Sequence, residues 1–217
     1  MENKIYKITF GLMIVVLLVA AFNTYEMSRL KNANKNIDTI TSNAVSLGNQ
    51  KLNKTKPNLM TDVVPKGVPT IYGKELGVSY DDVSYNDQKK ADLTIKKLGT
   101  LDTQISLSGK NMERYIAVAS QISCEYCCGT EAIIDSNGKA ACGCEHSFAM
   151  RGLAKYLIKN HGNEYTNDGI LEELGKWKTL FFPGPIAKKA LVLKEKGIEL
   201  NYINLASNKY RGIENGN

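Results

Sequence analysis

Apolar positions along the chain fall into three regimes. At the start, Ile8 to Tyr25 carries no charge and holds the run Phe10-Gly-Leu-Met-Ile-Val-Val-Leu-Leu-Val-Ala-Ala-Phe22 behind Lys4 and Lys7. A membrane span needs roughly 17–25 residues, so this segment predicts a retained N-terminal anchor over 1–25. The alternative is a signal peptide cut near Phe22, after the small residues Val19 and Ala21. Either reading predicts a single-pass or exported protein with its C-terminal domain extracytoplasmic. Met27, Leu30, Ile37 and Ile40 continue a helix-like pattern, and Asn49 to Pro57 is polar, so 26–61 reads as stalk and linker. Asn53-Lys54-Thr55 is a lone sequon.

From 62 to 217 the pattern predicts a globular domain. Pro65, Pro69, Gly67, Gly73 and Gly77 mark an ordered loop with short strands. Asn86 or Asp87 caps a helix that runs to about Leu98 and stops at Gly99. Gln104–Leu107 reads as a short strand. Met112, Tyr115, Ile116, Ala119 and Ile122 recur at helical spacing. Beyond residue 146, Ala149, Leu153, Leu157 and Ile158 form one apolar stripe, and Ile170, Leu171, Leu174, Trp177 and Phe181 another. Pro183-Gly-Pro185 separates this second helix from a third, with Pro185 in its first turn and Gly197 behind its end. Ile198, Leu200 and Tyr202 alternate and predict a closing strand. The expected class is therefore α+β and helix-rich.

The third regime is polar and sulfur-rich. All five cysteines lie between Cys124 and Cys144, as Cys124-Glu-Tyr-Cys127-Cys128-Gly129 and Cys142-Gly-Cys144-Glu-His146. Asn137-Gly138 between short apolar runs signals a two-residue hairpin turn. Such a turn folds the second group back on the first, the geometry of a zinc-ribbon-like knuckle over 123–146 packed on the C-terminal helices. The favoured ligands are Cys124, Cys127, Cys142 and Cys144, with Cys128 and His146 as alternates. Cys142 and Cys144 stand just before a helix start, whose dipole favours thiolates. A structural zinc ion is the expected cofactor, and folding is expected to depend on it. Copper(I) is the alternative, since thiolates and Met150 suit a soft ion. Disulfides, thiol exchange through Cys124 and Cys127, and an iron–sulfur cluster complete the set of readings. C-type haem is disfavoured because Cys128 stands where C-x-x-C-H needs histidine. His161, fifteen residues beyond His146, reads as a surface residue.

The stretch from Ser123 to Phe182 resembles the Cys-rich region of PCYCGC-motif membrane-associated proteins, through Cys142-Gly143-Cys144 and His146. It is also similar to N-terminally anchored, often archaeal, proteins with a CCG…CGC-x-H stretch. The resemblance implies an exported metal-binding module. The chain departs from the first motif at Ala140 and Ala141, where that motif has Cys and Tyr, and supplies Cys124, Cys127 and Cys128 upstream instead.

Composition narrows the classes further. Lys and Arg number 28 against 22 Asp and Glu, a net charge of +6, but the charges interleave along the chain and give no nucleic-acid stripe. No hydrolase, P-loop, dinucleotide or zinc-protease motif occurs, and two histidines give a His-based acid–base site little material. The reading is thus a non-enzymatic domain whose only membrane contact is the N-terminal helix. Asp81-Asp82 and Glu172-Glu173 read as solvated pairs. Trp177 and Phe181-Phe182 read as core.

Overall fold

The computed structural model describes residues 63–216. Helix α1 (Gly73–Leu76) is one turn that closes at Gly77 in the left-handed region. Two long helices follow, α2 (Gln88–Gln104) and α3 (Gly109–Ala119). The cysteine loop then leads into α4 (Glu145–Asn160), α5 (Asn167–Phe181), α6 (Pro183–Glu195) and the short α7 (Tyr202–Ala206). Three single 3₁₀ turns lie at Tyr80–Asp82, Asn208–Tyr210 and Ile213–Asn215.

The α+β expectation is corrected. No strand forms among the described residues, and the only extended pairing there is two isolated bridges, Ile122–Ser207 and Ile134–Ala140. A strand needs a partner with a continuous row of free backbone groups, and none of the expected strands has one; the stretch around Gly73 and Gly77, expected to hold short strands, forms helical turns at Gly73–Leu76 and Tyr80–Asp82 instead. Helix α2 takes Gln104, and the Ile105 N–H bonds back to the Leu101 carbonyl at 3.0 Å. Tyr202 starts α7, whose first turn is capped by the Asn201 side chain accepting from Asn204 N at 2.8 Å.

Gly99 does not end α2, because it serves packing. A Cβ at Gly99 would lie 3.2 Å from Phe148 Cβ, and one at Gly152 of α4 would lie 2.1 Å from the Leu98 carbonyl oxygen. The two glycines let α2 and α4 cross with backbones almost touching. Asp87 caps α2, accepting from Lys90 N at 3.0 Å. Thr166 caps α5 through its hydroxyl, which accepts from Gly169 N at 3.0 Å. Pro183 opens α6. Gly197 closes it in a Schellman arrangement, Gly197 N to Lys194 O at 3.0 Å and Ile198 N to Leu193 O at 2.9 Å.

The stripes expected on α4 and α5 face one core. Leu153, Leu157, Ile170, Leu174 and Trp177 are buried there with Leu98, Tyr115 and Ile122. Burying each aliphatic side chain contributes about 1.5–3 kcal/mol. A second, smaller core joins Val63, Ile186, Ala190, Leu193 and Leu205 under α6 and α7. The pairs read as solvated are split: Asp82 and Glu173 are buried. Glu173 accepts from the Tyr72 and Tyr80 hydroxyls at 2.8 and 2.5 Å, and Trp177 Nε1 donates to the Tyr72 oxygen at 2.7 Å.

No helix among the described residues is long and apolar enough to cross a membrane. The longest, α2, spans 17 residues and carries four lysines and two aspartates. Among the described residues, then, the expected single-pass span is not found. Ile8–Tyr25, on which it was placed, and the 26–61 stalk lie outside the described residues.

Candidate metal centre

The turn expected at Asn137-Gly138 forms, but Asp135 governs it. The Asp135 carboxylate accepts from Asn137 N at 2.8 Å and Lys139 N at 2.9 Å, and its own N–H bonds Lys139 O at 2.8 Å. Only Gly138 takes a positive φ, 78°, so this is a five-residue loop and not a two-residue hairpin turn. It packs on α3, since a Cβ on Gly138 would come 2.9 Å from Met112 Sδ. The arms meet at the Ile134–Ala140 bridge and at Ala141 N to Ile133 O, 3.2 Å. That single bridge falls short of the paired strands a zinc ribbon has.

Two clamps fasten the arms to the helices. Arg151, buried on α4, donates from Nη1 to Ile133 O at 3.2 Å in one arm and Cys142 O at 2.8 Å in the other. Its Nε meets Asp102 Oδ2 of α2 at 2.8 Å. Glu125, between the first two cysteines, is the second clamp. Its carboxylate meets Lys178 of α5 at 2.9 Å and Lys189 of α6 at 3.1 Å, and accepts from Gly212 N at 2.9 Å. Lys189 also faces Glu214 at 3.6 Å, beyond hydrogen-bond distance, so that contact is one of charge alone. Both lysines are fully buried, and the two carboxylates balance their charge. Burial opposes ionisation of Glu125, but the Lys178 and Lys189 charges and the Gly212 N–H outweigh it and hold the carboxyl below the ordinary range. Burial likewise pushes Lys178 down to about 8, against the pull of Glu125. Glu125 is the only non-glycine among the described residues with positive φ, 28°, a conformation held by these partners. Tyr126 lies under both ammonium groups, 5.4 and 5.6 Å from its ring centre.

These clamps gather the sulfurs. Cys128 and Cys142 are joined as a disulfide, and Cys124, Cys127 and Cys144 are free thiols. Cys124 is buried, Cys144 half-buried and Cys127 exposed. Cys124 Sγ and Cys144 Sγ are 3.2 Å apart. Cys144 is the N-cap of α4: its sulfur accepts from Ser147 N at 3.4 Å, with the Ser147 hydroxyl also at 3.4 Å. The hydrogen bond from Cys124 draws the Cys144 thiol well down, against burial, with help from His146 and Ser147. The same bond, and then burial, pushes Cys124 up.

His146, the second residue of α4, is half-buried, its ring centre 5.0 Å from Phe181 and 4.8 Å from Phe182. Its Nδ1 is buried and has no hydrogen-bond partner. Two overlapping groups of potential ligands result. Ligand atoms of Cys124, Cys127, Cys144 and His146 all lie within 4.8 Å of one another, as do those of Cys124, Cys128, Cys142 and Cys144. Three thiols and an imidazole in one spot, beside a disulfide, form a cluster compatible with a metal ion.

All six sequence-selected residues thus come together, but not as the favoured quartet, because Cys142 is bonded to Cys128. His161 is not a free surface residue: its ring nitrogens meet Glu164 at 2.6 Å and Glu75 at 3.2 Å. Arg151, Glu125, Lys178 and Lys189 were missed. A signal existed. Lys178 follows Leu174 by four residues, Lys189 follows Ile186 by three, and Arg151 precedes Ala154 by three, each on an apolar stripe. A charge on such a stripe implies a buried partner, and Glu125 stands between two cysteines. Compared with known protein families, with characterised proteins and with solved structures, the chain finds no match.

Proposed function

We propose that this is a metal-binding domain, non-enzymatic, in which zinc held by Cys124, Cys127, Cys144 and His146 ties the cysteine loop to the start of α4. The observation that carries the reading is the convergence of these four ligand atoms within 4.8 Å, one of them on a ring whose buried Nδ1 lacks any partner. Three sulfurs and one nitrogen form a usual zinc set, and closed four-ligand sites serve structure. The likeness to PCYCGC-motif proteins at Cys142-Gly143-Cys144 and His146 points the same way. Elemental analysis of the purified chain should give one zinc per molecule, and Cys144→Ser should lose it. A metal-free protein with three titratable thiols, and a melt unmoved by added zinc, would sink the reading.

A second reading is soft-metal relay, favoured by the exposure of Cys127 beside two deeper thiols. Three thiolates suit copper(I), and an exposed ligand permits handover to an acceptor. Competition against a copper(I) chelator separates the two: a relay exchanges within minutes, a structural site does not.

A further inference from the structure

We propose that the Cys128–Cys142 disulfide is a redox switch that selects between two metal-ligand sets sharing Cys124 and Cys144. This rests on the metal-binding reading above. The two shared sulfurs, 3.2 Å apart, form a common edge. With the disulfide formed, Cys128 and Cys142 have no charge to offer an ion, and Cys127 and His146 complete the set. With it reduced, Cys128 and Cys142 are two further thiolate ligands within 4.8 Å of the shared edge, and a four-sulfur set becomes available. Arg151 keeps the Cys142 backbone beside that edge by holding its carbonyl at 2.8 Å, so that side-chain rotation of the parted sulfurs completes the set. The sequence-favoured quartet has the same all-sulfur chemistry, with Cys127 in place of Cys128.

The chemistry is a two-electron exchange with a dithiol reductant. A reductant thiolate attacks the Sγ of Cys128, which is exposed, and Cys142 leaves as a thiolate. The reductant's second thiol then displaces Cys128 and closes its own disulfide. Two electrons and two protons pass from the dithiol to the cysteine pair. Binding of an ion by the new thiolates expels their protons, and Cys127 and His146 are released. Four sulfurs make a softer site than three sulfurs and a nitrogen, so reduction shifts preference towards softer ions.

Cobalt(II) reports the ligand set directly on the full chain. A trialkylphosphine is the reductant for the test; with one water it becomes the phosphine oxide as the S–S bond becomes two thiols. On reduction, the thiolate-to-cobalt charge-transfer band should rise by about a third, in proportion to the step from three sulfurs to four. Cys127→Ser should bind cobalt weakly until reduced and then as the parent does. The double variant Cys128→Ser/Cys142→Ser should bind it with a spectrum indifferent to the reductant. An unchanged parent spectrum, while the free-thiol count rises by two, overturns the switch and leaves the metal site standing. Full cobalt affinity of Cys127→Ser before reduction overturns it too. No cobalt in either redox state removes the metal reading, and the switch with it.

Discussion

Two regions meet at the N-terminus of α4 and keep their shape by different means. Behind it, α2 and α4 cross through Gly99 and Gly152, and apolar stripes close the contact. Ahead of it, residues 120–144 contain no helix or strand and are held by side chains reaching across long sequence distances: Arg151 to Ile133 and Cys142, Lys178 and Lys189 to Glu125. The helical region is stabilised by a repeating pattern, so each contact is replaceable. The loop depends on a few charged groups, and removing one unbalances the buried charges that remain.

That contrast is testable by breaking each side in turn. The largest effect is expected from Glu125→Gln, which leaves the buried Lys178 and Lys189 with Glu214 as their one remaining carboxylate and should cost about 3–5 kcal/mol. Urea unfolding measures the loss, and metal stoichiometry should fall with it because the C-x-x-C turn is released. Gly152→Ala attacks the other side. Its Cβ meets backbone, which cannot yield as a flexible side chain would, so about 1–3 kcal/mol or somewhat more should be lost. Here the fraction that stays folded should keep full metal stoichiometry. Equal metal loss in both variants would dissolve the distinction.

Smaller effects come from pH. Glu125 is held below its unfolded value near 4.5, so its contribution is present above that value and is lost as pH falls through the folded one. Lys178 acts in the same sense, in a higher pH window. Its folded value is about 8 against 10.5 unfolded, so between these the unfolded chain binds more protons and stability rises with pH. Stability curves for Lys178→Met should lack that rise. The smallest effect, about 1 kcal/mol, is expected from Tyr80→Phe, which removes one of two hydroxyls on Glu173 while the Tyr72 hydroxyl remains.

The legibility of the sequence follows the same division. Helices α3, α4 and α5 could be read because their apolar residues recur at the helical period, and α6 because Pro183-Gly-Pro185 and Gly197 bracket it. Gly99 misled, since a helix-ending glycine and a helix-crossing glycine look alike until the partner helix is known. Ile198, Leu200 and Tyr202 misled because alternation over so few residues names no partner strand. The gathering of cysteines at the Asp135–Lys139 turn was legible from Asn137-Gly138, and the six residues singled out do come together. Their division was not, because the bonding of Cys128 to Cys142 depends on where Arg151 and Glu125 fix the two arms. Those positions are set by residues tens of places away.

The turn at Gly138 leans on Met112 whether or not the sulfurs hold anything, and that has a kinetic consequence. Ordering a free loop costs about 1–2 kcal/mol per residue, and the Met112 contact with the Arg151 and Glu125 clamps takes up part of that cost. An arriving ion thus finds its donors waiting instead of having to assemble them. Its entry should be timed by how fast it sheds its own water shell, and its departure by stepwise replacement of one donor after another.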